Sequence, residues 1–361
     1  MLTSKEVLEQ SKNAFREWDT IWRKHSEING KIHRERGLSH QDLLFRGIGK
    51  VLLLIGMGAS LEDKIEIIKK YQNKGVDIGC VDKAFGYLTD NGIKVNYVFL
   101  ADAGISYERW IEKWIDKTEN VILISNINAN PKWTQNWKGD VCFSVFKDNI
   151  HSEKIYSKIS GCYQFIPAGS NVGNSAIIFS TQILGYDEYW LVGYDFCWDN
   201  KKNYYAFSDS EKRFFMKHIM MIDNWNNFVF TSQNLLFSAR WLSDFYIKVL
   251  NQHRVKIFNC SEYGILKAVP TANLEQKLKT FRKRNLYELS EQEKSIILSK
   301  KLKKIVLTDA ELFKAGIDVS DLLQLKDIDA KANYVKGLTI DYIEKNEIMK
   351  YYKPQIIQKG V

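Results

Sequence analysis

Between residues 46 and 265 the chain repeats one pattern: a short, nearly all-apolar run, a turn, then an amphipathic segment. The runs are VLLLI (51–55), VDIGCV (76–81), VNYVFL (95–100), NVILIS (120–125), VCFSV (141–145), YWLVG (189–193) and VKIF (255–258). Between them lie helix candidates: LEDKIEIIKKYQ (61–72), SYERWIEKWI (106–115), NSAIIFSTQIL (174–184) and SARWLSDFYIKVL (238–250). A strand apolar at every position has no solvent side, so both faces of its sheet must be covered. Strands alternating with helices meet that demand with a mostly parallel sheet. The pattern therefore predicts an α/β fold, a Rossmann-like doubly wound sheet, with helical additions at both ends.

The flanks differ. Residues 1–45 read as helix, with Phe15, Trp18, Ile21 and Trp22 at helical spacing, and the polar stretch 31–41 as a loop. Residues 266–361 lose the alternation and read as helical and charged, with ten basic residues against three acidic from Lys277 to Lys304. The expected division is an N-terminal helical region (1–45), a nucleotide-binding catalytic domain (46–270) and a basic C-terminal helical region (271–361). The net charge of +9 suits an anionic partner, whether nucleotide, nucleic acid or membrane surface. No apolar run approaches the roughly 20 residues of a membrane span, and the charged N-terminus does not read as a signal peptide. Five scattered cysteines, none in a CxxC, fit buried free thiols in a cytoplasmic protein.

The first strand ends in GMGAS (56–60). Gly56 and Gly58 permit backbone angles closed to other residues and allow a close approach to the main chain. Ser60 is expected to cap the next helix, with Asp63 completing a box. Free N–H groups at such a turn favour a phosphate, although no GK[ST] follows, so this is not a P-loop. On this reading Gly58→Val abolishes nucleotide binding in a folded protein.

Three other strand ends carry acids: Asp82, Asp102 and Asp195, with Asp199 near the last. In open α/β sheets ligands bind beyond the carboxyl ends of the strands. Carboxylates there suit a ribose hydroxyl, a water-held Mg²⁺ or a proton-transfer role. Asp195→Asn is accordingly expected to cost turnover more than stability. A fourth strand end, IPAGSNVGN (166–174), brings Gly169, Ser170, Asn171, Gly173 and Asn174 to a helix start. Asparagine amides both donate and accept, which suits the edge of a nucleobase; a plain helix cap is the simpler alternative.

GMGASL (56–61), CVDKAFGYLTDNGIKVNYVFLAD (80–102) and GSNVGNSAIIFSTQILGYDEYWLVGYDF (169–196) resemble one family, the 6-hydroxymethylpterin pyrophosphokinase MptE-like proteins. That family includes the glycosyltransferase core of the motility accessory factors (Maf), with a more distant similarity to bacterial sialyltransferases that use CMP-sugars. NCSEYGILKAVP (259–270) resembles its closing segment, so the likeness covers about 46–270. Ala59 stands where proline is usual, Val95-Asn96 where Pro-Asp is usual, and Tyr194 where glutamine is common. The resemblance implies that Gly56, Gly58 and Ser60 form the phosphate turn, that Asp102 and Asp195 face the crevice, and that Gly169, Asn171 and Gly173 lie on the nucleotide side.

The implied activity is transfer of a sugar from a nucleotide-activated, CMP-linked donor to an acceptor hydroxyl on a glycan or macromolecule. The alternatives are a Mg²⁺-dependent pyrophosphokinase using ATP on a pterin-like alcohol, and a nucleic-acid base-modifying transferase. Asp102, Asp195 and His218 are the catalytic candidates; His218 sits in KRFFMKHIMMIDNW, read as a helical lid. Gly56, Gly58, Ser60, Asp82, Gly169, Ser170, Asn171 and Gly173 are the nucleotide-binding candidates. Tyr204 and Tyr205 are candidate donors to a leaving phosphate. For the nucleic-acid alternative, a basic surface with Trp133, Trp137, Trp198 and Trp225 as exposed aromatics is expected to hold a strand. No resident metal is expected outside the Mg²⁺ alternative.

Overall fold

The structure is a computed structural model that describes residues 4–147, 150–198, 206, 219–253 and 255–281. Its strands are β1 (Gly37–Leu38), β2 (Val51–Ile55), β3 (Asp77–Val81), β4 (Tyr97–Leu100), β5 (Ile122–Asn126), β6 (Val141–Lys147), β7 (Phe165–Pro167), β8 (Glu188–Val192), β9 (Ile219–Ile222), β10 (Phe228–Thr231) and β11 (Lys256–Asn259). Nine of them form one sheet in the order β1-β6-β5-β4-β3-β2-β8-β11, with β7 beside the far end of β6. Every pairing in that sheet is parallel. β9 and β10 make a separate antiparallel hairpin.

The apolar strands alternate between two cores, as a period of two requires. Val51, Leu53 and Ile55 of β2 face one cluster, and Leu52 and Leu54 the other. The helices are α1 (Ser4–Arg36), α2 (His40–Leu43), α3 (Ile65–Tyr71), α4 (Phe85–Asp90), α5 (Tyr107–Trp110), α6 (Pro131–Asn136), α7 (Ile150–Ser160), α8 (Val172–Gln182), α9 (Gln233–Phe245) and α10 (Leu274–Thr280). The first core takes α3, α4 and α10. The second takes α8 and α9. From Gly173 to Thr181 every residue of α8 is buried. The doubly wound arrangement expected from the sequence is therefore present.

Several local expectations fail for identifiable reasons. The stretch 31–41 is not a loop, since α1 runs to Arg36. Its polar residues reach buried carbonyls: Arg34 donates to Ser160 O at 2.6 Å, and Arg36 to Trp137 O at 3.0 Å and to Thr134 O. With β1 added to the sheet and α1 packed on α6 and α7, this N-terminal segment is built into the α/β body. The helix expected over 106–115 breaks after Trp110 into a 3₁₀ segment, Glu112–Lys117. The expected helical lid is, over Ile219–Ile222, a strand. Asp223 Oδ1 accepts from the N–H groups of Trp225 and Asn227, both at 2.8 Å, and turns the chain into β10.

Trp133, Trp137 and Trp198 are buried, and only Trp225 of the four tryptophans is exposed, so the aromatic surface expected for a nucleic-acid strand is not formed by them. Trp137 packs its ring against Phe85 and donates Nε1 to Val121 O at 2.9 Å. All five cysteines are free and buried. No helix among the described residues is long and apolar enough to cross a membrane.

Candidate functional site

The chain winds outward from β2 through β3, β4, β5 and β6, then returns to place β8 on the other side of β2. The sheet therefore reverses between β2 and β8, and the crevice beyond the carboxyl ends at such a reversal is where ligands bind. Those of the residues singled out from the sequence that are described lie on this rim, in two groups.

The first group stands at the reversal itself. Gly56, leaving β2, lies so close to Gly193, leaving β8, that a side chain at Gly56 would overlap the Gly193 carbonyl. A Cβ on Gly58 would stand 2.6 Å from Asp195 Oδ2 and 2.7 Å from Gly193 O. Asp195 is buried, and its carboxylate accepts from Ser60 N at 2.8 Å and from Ser60 Oγ at 2.5 Å. The 3₁₀ segment Ala59–Lys64 begins here with Gly58 at its N-cap and no side-chain cap. Ser60 is thus inside the turn rather than capping it, because Asp195 supplies the acceptor. The N–H groups of Gly56, Gly58 and Ser60 go to Val192 O, Gly193 O and Asp195 respectively. A phosphate at this turn would have to displace those partners.

The Asp195 backbone is equally constrained. Gly193 has φ +71° and Phe196 φ +54°. Ile265 N donates to Asp195 O at 3.0 Å, and a side chain on Gly264, at φ +114°, would strike the Asp195 main chain at 2.6 Å.

The second group lies over β3, β4, β5 and the start of α8. Asp82 follows β3 and is buried; Asp102 follows β4 and is exposed. Asp82 Oδ1 accepts from Lys83 N at 2.7 Å, and Asp102 Oδ1 from Gly104 N at 2.8 Å. Burial pushes the Asp82 carboxyl up to about 7; the Asp102 charge adds to the rise, while the Lys83 charge and N–H oppose it. The pair thus joins an exposed carboxylate to a buried group that changes protonation near neutrality.

Asn171 is the N-cap of α8, its side chain accepting from Asn174 N at 2.8 Å. The simpler sequence reading of Asn171 is therefore what the geometry displays. Asn174, one turn in, is different. Its Nδ2 donates to Ser238 O at 3.0 Å, which fixes the amide orientation, and its buried Oδ1 has no hydrogen-bond partner. A buried acceptor without a donor is costly and calls for an explanation. Asn126 Oδ1, at the carboxyl end of β5, is a second such atom. Ser170 is held at φ +67°, and Gly169 packs so closely on α8 that a Cβ would meet Ser175 N at 2.5 Å. Non-glycine residues at positive φ are uncommon, and they cluster where a ligand is held.

Tyr194 joins the two groups. Its hydroxyl donates to Gly173 O at 3.0 Å, and a Cβ on Gly173 would strike that same hydroxyl at 2.9 Å. Sequence reasoning missed the coupling because it treated Tyr194 only as a departure from glutamine. It also did not separate Asn174 from Asn171, a distinction that only the capping geometry makes. His218, Asp199, Tyr204 and Tyr205 lie outside the described residues.

Residues 33–201 match the family model described as 6-hydroxymethylpterin diphosphokinase MptE-like. No curated protein matches the chain. Among solved structures the fold is similar to the MAf glycosyltransferase from Magnetospirillum magneticum AMB-1, with TM-score 0.53 and 17% identity. That match takes in 78% of this chain and 42% of the other, so this chain spans less than half the length of that protein. The match at 33–201 runs from the end of α1 past Asp195 and encloses both groups of rim residues.

Proposed function

We propose that this chain is a glycosyltransferase that takes a sugar from a nucleotide-activated donor, CMP-linked in the favoured form, and passes it to an acceptor hydroxyl on a glycan or macromolecule. The observation that carries the reading is the Asp82–Asp102 pair on neighbouring strand ends, beside the α8 start with its unpartnered Asn174 acceptor. The family match and the Maf-like fold are consistent with it.

In this scheme the donor phosphate lies at the α8 N-terminus, where main-chain N–H groups and the helix dipole favour an anion. Asn174 Oδ1 accepts from an amino or hydroxyl group of the donor. Asp82, buried and protonated in part near pH 7, hydrogen-bonds the ribose. Asp102, exposed at the rim, takes the proton from the acceptor hydroxyl as its oxygen bonds to the anomeric carbon. The bond from that carbon to the donor phosphate oxygen breaks, and the electron pair leaves with the phosphate. Asp195 and the Gly56–Ser60 turn hold the crossing of β2 and β8 that sets the crevice floor.

The family description supports a second reading, diphosphate transfer from ATP to an alcohol. Mg²⁺ is usually held by one or two carboxylates together with substrate phosphates, and Asp82 with Asp102 fits that donor set. The cation would neutralise phosphate charge there.

Calorimetric titration of CMP, CDP, UDP, GDP and ATP, each with and without Mg²⁺, separates the readings. Metal-independent binding of CMP or another sugar-carrier nucleotide, weakened at least tenfold in Asn174→Leu, is the expected result. Binding of ATP alone, and only with Mg²⁺, would transfer the assignment to the diphosphokinase. Absence of binding by every nucleotide would overturn both.

A further inference from the structure

Asn126 closes β5 at the carboxyl rim and has no part in the donor contacts of Asp82, Asp102 and Asn174. It is only 8% exposed, and its buried Oδ1 has no hydrogen-bond partner. Residues two apart in a strand share a face, so Asn126 stands on the face of β5 that carries Ile124. That face is the one α8 covers. Ile124 belongs to the core that α8 completes. With Phe146, Ile166, Val172, Ser175 and Ala176 it lines a narrow apolar gap under the first turns of the helix. Asn126 therefore lies one step nearer the rim than this gap, at the open end of α8.

The polar groups of the neighbourhood have other partners. Ser144, opposite Asn126 in register on β6, shares its Oγ with His40 Nε2 at 2.8 Å. Ser175 Oγ accepts from Gly169 N at 3.1 Å and donates to Asn171 O at 3.0 Å. Asn171 Oδ1 takes Asn174 N at 2.8 Å. A carboxamide oxygen left buried and unpaired is costly, and a partner from outside the chain removes that cost.

The same place favours an anion. α8 is eleven residues long, and the N–H groups of its first residues, Val172 and Gly173, have no acceptor within the helix. The helix dipole attracts negative charge to this end. The approach is open, since Ser170 is exposed and Asn171 and Val172 are half-buried.

We propose that Asn126 is a phosphate-binding residue, its Nδ2 donating to an oxygen of a phosphate seated on the N-terminus of α8. No hydrogen bond to Oδ1 holds the amide in one sense, and a half-turn about its last side-chain bond exchanges donor for acceptor within the same shape. The inference rests on the reading that the donor phosphate lies at this helix start, and it supplies a side chain that grips that phosphate. A donor fixed there before the reaction also stabilises the charge that the phosphate gains as the anomeric bond breaks.

The test is calorimetric titration of the full chain with CMP, with cytidine and with inorganic pyrophosphate. Wild type should bind pyrophosphate, and should bind CMP at least tenfold more tightly than cytidine. Asn126→Leu is close in size and has no polar side-chain atom. It should lose at least tenfold in affinity for CMP and pyrophosphate and leave cytidine unaltered. Its melting temperature should not fall, because the change deletes an unpaired buried group. Asn126→Ala adds no bulk, guards against a packing fault in the leucine variant, and should show the same losses. Both variants binding CMP as tightly as wild type would overturn the inference and leave the nucleotide-donor reading standing. Equal losses for CMP and cytidine would assign Asn126 to the nucleoside, and a lowered melting temperature with unaltered affinities would make it a packing residue; each overturns the inference. Pyrophosphate bound by wild type and lost in the variants, with no nucleotide bound, would uphold the phosphate site and overturn the nucleotide-donor reading instead. Binding of neither CMP nor pyrophosphate by wild type would overturn both.

Discussion

Asp195 accepts both hydrogens that Ser60 offers, the main-chain N–H at 2.8 Å and the hydroxyl at 2.5 Å, across a separation of 135 residues. This contact ties the exit of β2 to the exit of β8 at the point where the sheet reverses. Both residues are buried, so neither has water as a ready substitute. Ser60→Ala should cost about 1.5–3 kcal/mol, the worth of a hydrogen bond to a carboxylate. Asp195→Ala should cost about 3 kcal/mol or more, because it strands two buried donors. The double variant should cost less than the sum, since the second change removes a group already without its partner. Denaturant unfolding of the three variants checks this. Additive losses would mean that the contact contributes no coupling.

Gly58 is required by the same crossing. A Cβ there would meet the Asp195 carboxylate at 2.6 Å and the Gly193 carbonyl at 2.7 Å, and a backbone carbonyl in a parallel sheet has little room to yield. Gly58→Ala should lower stability by about 1–3 kcal/mol, the range for overpacking, and Gly58→Val by more. This replaces the expectation that Gly58→Val leaves the fold intact. A melting temperature unchanged in Gly58→Ala would show that the two strand exits part easily.

The fold was legible because β2, β4, β5, β6 and β8 are apolar at almost every position, and such strands admit few arrangements. The placing of Asp82, Asp102 and Asp195 at carboxyl ends followed from the same pattern. What could not be read was which polar atoms are already satisfied. Glycine at 56 and 58 looks the same in sequence whether it admits a phosphate or a neighbouring strand exit, and only the position of Gly193 separates the two. Asn171 and Asn174 are likewise alike in composition, yet one caps α8 and the other holds a buried acceptor with no donor. The hairpin escaped because IMMI reads equally as a helix segment; its partner strand and the Asp223 turn decide otherwise.

Asp82 makes stability depend on pH. Its folded-state value of about 7 lies above the ordinary 3.8, so the folded protein favours the protonated form. The contribution is complete below pH 4 and is lost as pH rises from 4 through about 7. At about 1.4 kcal/mol per pH unit between the two values, the full change is on the order of 4 kcal/mol. Asp82→Asn keeps an acceptor for Lys83 N and removes the ionisation. The variant should therefore gain on wild type as pH rises, with a flatter profile between pH 4 and 7. Urea unfolding at intervals across that range checks it, and parallel profiles would refute the elevated carboxyl.

Asn174 separates a structural role from a ligand-binding one. Its Nδ2 holds Ser238 O at 3.0 Å, while its buried Oδ1 contributes no bond. Asn174→Leu removes the stranded acceptor and leaves Ser238 O without that donor. Those changes oppose each other, and the net effect on stability should stay within about 1 kcal/mol, because deleting an unsatisfied buried polar atom offsets the loss of one bond. If Oδ1 serves a bound nucleotide, affinity should nonetheless fall at least tenfold. Asn174→Asp keeps the acceptor but adds a buried charge beside a donor phosphate, so it should lose affinity without recovering stability. Unfolding and nucleotide titration on the same two variants read the effects separately. A large stability loss with unaltered affinity would make Asn174 a packing residue of α8 and leave the donor to be recognised elsewhere on the rim.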